Sequence, residues 1–250
     1  MYFKSLLDSL DSGLKYRVTK LLSSSSPPSQ SPPDHEAHDA LNAITWSSVS
    51  MFMPSTPKVH ANLKVIASIV AAGVVRGEEP ARVLDVGCGD GVMCDVLGKA
   101  FRKANKKEKN RGGIGEYVGI DIAEGMIERA RRMRGGEGTW RRVKFQDFEV
   151  GGERSGFDVV LFNGSWHYIP QEDVGGVLGK AGDLLGGGGK VVISHYAGRG
   201  FVEDEKRKNG GVVVGNLPGK KEVEGWEGWK IEEWRDEGGI FVAVIGKEGE

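Results

Sequence analysis

The stretch Val83-Leu84-Asp85-Val86-Gly87-Cys88-Gly89-Asp90-Gly91 constrains this chain more than any other. An apolar segment, Ala81 to Val86, reads as a buried strand. Glycine then occupies every second position, and an apolar helical pattern runs from Val92 to about Ala104. A strand, a glycine loop and a helix in that order bring backbone N–H groups and a helix N-terminus to one point, where a ligand can be held. Asp85 and Asp90 set negative charge beside the loop, which disfavours a phosphate and favours a ligand carrying hydroxyls and positive charge. A dinucleotide Gly-x-Gly-x-x-Gly fingerprint requires glycine at position 92, where Val92 stands, and no Gly-Lys-Ser/Thr follows as a phosphate loop requires. A glycine turn without function is the remaining alternative, because 39 of the 250 residues are glycine, against a usual share of about 7%.

Downstream, strands and helices alternate. Strands are expected at Tyr117 to Asp121, Arg142 to Phe145, Phe157 to Phe162 and Lys190 to His195. Pro57 opens a predicted helix that runs to about Val75. Another carries Met126, Ile127, Ala130 and Met133 on one face, and a third spans about Gln171 to Leu185. That third helix holds Gly175, Gly176, Gly179 and Gly182, each costing ~1 kcal/mol relative to alanine, so tertiary packing must sustain it. Gly186 to Gly189 are expected to turn the chain into the next strand. Trp229 to Arg235 and Ile240 to Ile245 read as two strands joined at Gly238-Gly239. The pattern predicts an α/β fold, a doubly wound, mostly parallel seven-stranded sheet with a C-terminal antiparallel hairpin. Residues 58–247 form that domain, 34–57 a cap or lid, and 1–33 a flexible segment or transit peptide.

Asp85, Gly87, Gly89 and Gly91 resemble motif I of the class I S-adenosylmethionine-dependent methyltransferases, with Cys88 and Asp90 in the same loop. The resemblance implies a Rossmann-like fold and S-adenosylmethionine as cofactor. Gly119-Ile120-Asp121-Ile122 resembles motif II, which implies that Asp121 accepts hydrogen bonds from both ribose hydroxyls, with Ile122 and Met126 beside it. Asp85 and Asp121 lie 36 residues apart, against about 20 in such units; a basic surface insertion accounts for the excess. Phe145-Gln146-Asp147-Phe148 matches the place where the family's acidic residue meets the adenine amino group, implying that role for Asp147, with Gln146 adjacent and Phe148 flanking the ring. The run Phe157 to Pro170 resembles the family's motif IV region in its small-molecule form. It implies Asn163 and Gly164 beside the methionine part of the cofactor and His167 in the first histidine place, with Tyr168 replacing the second. His167 is the candidate general base, since imidazole titrates near neutral pH; the alternative is a pocket histidine with a structural hydrogen bond. The Asn/Asp-Pro-Pro-aromatic motif of nucleic-acid amino methyltransferases is absent. The segment Val191 to Val202 is similar to plant and algal methyltransferase-like proteins, often plastid-directed.

A formal net charge of −1 exerts no global pull toward nucleic acid or anionic membrane. Cys88 and Cys94 form no disulfide framework and no zinc pattern, so neither a disulfide nor a metal is expected. The apolar run Ile66 to Val75 is too short to span a bilayer. The first 33 residues contain Ser23 to Ser26 and two proline pairs; they read either as an organelle transit peptide or as a short helix, Tyr2 to Leu22, with a linker. The expected location is accordingly the cytoplasm or a plastid or other organelle stroma. Lys106, Lys107, Lys109 and Arg111 form a basic run, read as a solvated loop. The implied activity is methyl transfer to a small molecule, the partner favoured here, or to a protein side chain. Two alternatives stand beside it: an RNA methyltransferase using the basic run and Arg129, Arg131, Arg132, Arg134, Arg141 and Arg142, and a non-catalytic S-adenosylmethionine-binding module.

Overall fold

The computed structural model describes residues 7–23, 34–49, 56–74, 79–104, 113–150, 156–208 and 212–249. The basic run from Lys106 to Arg111, the serine-proline linker and the start of the predicted N-terminal helix lie outside them. Ahead of the sheet, the described residues include α1 (Ser12–Ser23), α2 (His35–Val49) and α3 (Pro57–Val74). The alternating core follows as β1 (Ala81–Val86), α4 (Val92–Ala104), β2 (Ile114–Asp121), α5 (Glu124–Arg134), β3 (Thr139–Arg142) and β4 (Phe157–Asn163). The chain ends with α6 (Val174–Leu184), β5 (Leu185–His195), α7 (Gly198–Lys208), α8 (Lys220–Glu224), β6 (Trp229–Glu237) and β7 (Ile240–Lys247).

The seven strands form one sheet in the order β3-β2-β1-β4-β5-β7-β6. Strands β1 to β5 pair in parallel, β7 runs antiparallel to β5, and β6 closes the hairpin. This is the doubly wound architecture that the alternation predicts. The order reverses between β1 and β4, so a crevice opens at their C-terminal ends. Successive strand residues point to opposite faces, and β1 feeds two cores. Leu84 packs with Val118, Phe162, Leu178 and Ile193 on one face, while Val83 packs with Leu63, Leu97, Ile127 and Val192 on the other. A third, small core joins α1 to α2 through Val18, Ala37 and Leu41.

Several local expectations are corrected. Strand β3 lies three residues upstream of the predicted Arg142 to Phe145. Trp140 is its buried residue, and Phe145 is instead buried from a single 3-10 turn, Phe145–Asp147. Apolar spacing of two marks burial here without marking a strand. The glycines 186–189 belong to β5 rather than to a turn before it. Register jumps from Phe157↔Leu185 to Val159↔Lys190, a bulge in which Gly188 takes φ +74° and a Cβ on Gly189 would lie 2.6 Å from the Phe157 carbonyl oxygen. Helices α2, α7 and α8 were not foreseen. No helix among the described residues is long and apolar enough to cross a membrane.

Candidate functional site

The glycine loop after β1 is held by β2: the Gly87 and Cys88 N–H groups both donate to the Ile120 carbonyl, at 2.8 and 3.0 Å. Gly87, Gly89 and Gly91 all have positive φ, at +72°, +54° and +76°, a region that side chains disfavour. Their surroundings differ. A Cβ on Gly87 would sit 2.5 Å from Ser165 Cβ, and one on Gly91 would sit 2.5 Å from the Trp140 ring, whereas one on Gly89 would meet nothing within 4 Å. Two glycines therefore serve packing, and the third opens onto space.

Asp121 ends β2 and ties this loop to the next helix. Its Oδ2 accepts the Gly89 N–H at 3.0 Å and its Oδ1 accepts the Ala123 N–H at 2.8 Å. Burial raises its pKa, and the backbone N–H groups partly offset that rise. Asp85 is 1% exposed. The Tyr117 hydroxyl donates to its Oδ2, while Oδ1 has no hydrogen-bond partner among the described residues. Burial pushes this carboxyl up to about 7, the Tyr117 hydrogen bond opposing it and the nearby Asp121 adding to it. A buried, half-satisfied carboxylate costs stability unless a cation or donor completes it.

These groups line a cleft of about 1000 Å³ over the strand ends, together with Gly87, Cys88, Gly89, Asp90, Ile122, Met126, Gln146, Asn163 and Gly164. Asp90 pairs with Arg129 at 3.3 Å, and Asn163 Oδ1 accepts from the Ser194 hydroxyl at 3.0 Å. Burial pushes the Cys88 thiol up, so it stays protonated. Four sequence-selected residues do not line the cleft. Gly91 turns against Trp140. Asp147 is exposed. Phe148 is buried beneath the turn, its ring 6.3 Å from that of Phe157, and Val143 and Phe145 face the cleft in its place. His167, the expected base, is 3% exposed and lies behind Tyr168, with ring centroids 4.1 Å apart. Burial first, and then the neighbouring His195, push its imidazole down to about 3. It is neutral and walled off, and Tyr168 is the side chain that reaches the cleft.

Helix α2 lies within residues 34–57, the segment expected as a cap or lid, and supplies a wall whose residues were not singled out beyond Trp46: His35, His38, Asp39, Asn42 and Trp46 all line the cleft. A signal was present in the spacing of His38, Asn42 and Trp46, opposite Ala37 and Leu41, but a polar inner face imitates an exposed one. Trp46 stands edge-on to Tyr168 at 5.9 Å. Tyr196 and Phe201 flank His195 at 5.1 and 5.5 Å, and His60 of α3 borders the same end. The arginine cluster is largely committed within the chain. Arg131 donates to the Trp140 carbonyl, Arg134 pairs with Asp95, Arg141 donates to the Glu149 carbonyl and Arg142 pairs with Glu124.

Residues 59–236 match a family model described as a methyltransferase domain. The chain belongs to the class I S-adenosylmethionine-dependent methyltransferases. Two curated relatives of this methyltransferase are the aklanonic acid methyltransferase of Streptomyces sp. strain C5, 36% identical over 119 residues, and the juvenile hormone acid O-methyltransferase of Bombyx mori, 30% identical over 114 residues. The matches cover 45% and 42% of this chain and 47% and 36% of the relatives, so the chain spans under half the length of either. Among solved structures, DhpI in its SAH complex aligns with a TM-score of 0.58 at 13% identity, covering 84% of this methyltransferase and 96% of that chain. That likeness is one of fold.

Proposed function

We propose that the protein binds S-adenosylmethionine in the cleft over β1, β2 and β4 and methylates a small, largely apolar oxygen acid. The observation that carries this is the buried Asp85, whose Oδ1 has no partner among the described residues beside a glycine loop that a Cβ would not fill at Gly89. The cavity chemistry fits a ligand with one positive group and several hydroxyls. Asp85 faces the charge, Asp121 accepts from the ribose hydroxyls, and Ile122, Met126 and Gln146 border the adenosine half. S-adenosylmethionine, when bound, supplies a methyl group on a positively charged sulfur.

The chain's own part is positioning and the exclusion of water. Trp46, Tyr168, Tyr196 and Phe201 form an apolar wall beside Asn163. Burial raises the pKa of both tyrosines, so their hydroxyls remain donors across the neutral range. An acceptor oxygen that arrives already ionised needs no base, which accords with the burial of His167. The two relatives are named for acids, aklanonic acid and juvenile hormone acid, which supports that acceptor class. Five of the six arginines in the RNA reading are bonded within the chain.

Titration calorimetry with S-adenosylmethionine tests the donor site. Wild type should bind, and Asp121→Ala should lose about 2–3 kcal/mol, the value of hydrogen bonds to a charged group, with further loss from release of the Gly89 N–H. Equal affinity in both proteins would refute the assignment. A screen of carboxylic acids and phenols with methyl-labelled donor tests the acceptor class, and labelling confined to amines would refute it.

A further inference from the structure

Helix α2 is covered on two faces. Ala37 and Leu41 pack against Val18 of α1, while the opposite face turns His38, Asn42 and Trp46 toward the cleft. Polar side chains are buried at low cost only where hydrogen-bond partners meet them. Asn42 is 4% exposed. Its Nδ2 lies 3.0 Å from His38 Nε2, and its Oδ1 has no hydrogen-bond partner among the described residues. Asn42 thus lines the cleft with a buried acceptor oxygen that no group among the described residues meets.

Two anchors say which part of the cleft it overlies. Asp39, one turn earlier, pairs with Lys144 just beyond β3. Ser47, further along, accepts the Gly125 N–H at the start of α5, at 3.3 Å. Asn42 lies between them on the helix, over the region bordered by Gln146 on one side and Ile122 on the other. In the reading above, which this inference rests on, that region receives adenosine. Adenosine offers donors in its ribose hydroxyls and its exocyclic amino group. Asp121 serves the hydroxyls, and Asp147, the residue expected to meet the amino group, lies outside the cleft.

We propose that Asn42, oriented by His38, accepts a hydrogen bond from the exocyclic amino group of adenine. Helix α2 precedes residues 59–236, which carry the family match, so this part of donor recognition comes from a segment outside the matched domain. Calorimetry on the full chain with S-adenosylhomocysteine and with S-inosylhomocysteine, which carries oxygen in place of that amino group, tests the proposal. Wild type should bind the adenosine compound about tenfold more tightly, the usual scale for one buried hydrogen bond. Asn42→Leu, close in volume but without an acceptor, should lose that preference through weaker adenosine binding. Wild type binding both compounds equally, or preferring the inosine compound, would overturn the proposal without reliance on any variant. A preference that survives in Asn42→Leu would overturn it as well. Failure of wild type to bind S-adenosylhomocysteine at all would instead overturn the donor site itself, a separate outcome.

Discussion

Gly87 and Gly89 share a positive φ, two positions apart, and answer to different forces. Gly87 meets Ser165, whose hydroxyl donates to the Val86 carbonyl at 2.5 Å, so a methyl group there collides with a side chain already fixed. Gly89 faces open space, and a methyl group there carries backbone strain of about 1–2 kcal/mol but no collision within the protein. Gly87→Ala should therefore lower the melting temperature more than Gly89→Ala, while Gly89→Val should abolish donor binding in a protein that still folds. Thermal melts and calorimetry on the purified variants check both halves. Gly89→Val with wild-type affinity would mean that the ligand does not approach the loop. His167 illustrates the limit of motif reading at this scale. Its place after β4 was legible, but the turn Trp166–Tyr168 decides which of two adjacent rings enters the cleft, and that turn buries the histidine and presents the tyrosine.

Among the elements, α2 depends on a tertiary partner. Its link to α1 rests on a small core of Val18, Ala37 and Leu41, while its other face touches the cleft. Leu41→Ala removes about 2–4 kcal/mol of packing from that core, and local opening there need not unfold the sheet. The expected outcome is weaker S-adenosylhomocysteine binding with little change in the main thermal transition, together with faster amide exchange in α1 and α2. Loss of the main transition instead would mean that α2 is integral to the sheet's stability. The same dependence explains why α2 was not legible as a helix. Its polar residues face a cleft that exists only after the strands assemble. The predicted helix at Gln171 to Leu185, by contrast, kept its identity despite four glycines, because Val177, Leu178 and Ala181 are buried against the sheet.

Across the whole molecule, the buried histidines should govern the acid limit of stability. Burial brings His167 down to about 3 and His195 to about 4, against an unfolded value near 6.5. Below about pH 6.5 the unfolded chain takes up protons that the folded chain refuses, so stability declines from that pH down to the folded-state values. Each histidine contributes about 2 kcal/mol to that decline between pH 6.5 and 5. Asp85 acts in the opposite sense: its folded value of about 7 exceeds the carboxylate norm, so stability falls as pH rises from about 4 to about 7. His167→Gln should shrink the melting-temperature difference between pH 7 and 5 even if it lowers both values, and an unchanged difference would show that this histidine is not buried neutral. The sequence by itself determined the strand–loop–helix unit at Asp85 to Gly91, the acidic end of β2 and the alternating sheet, because hydrophobic period and glycine placement are local and act before the chain is folded. Only the tertiary structure decided which residues of the expected cap line the cleft, that Asp147 and Phe148 turn away from it and that Tyr168 displaces His167. Those outcomes depend on which side chain a turn buries once two distant segments compete for the same space.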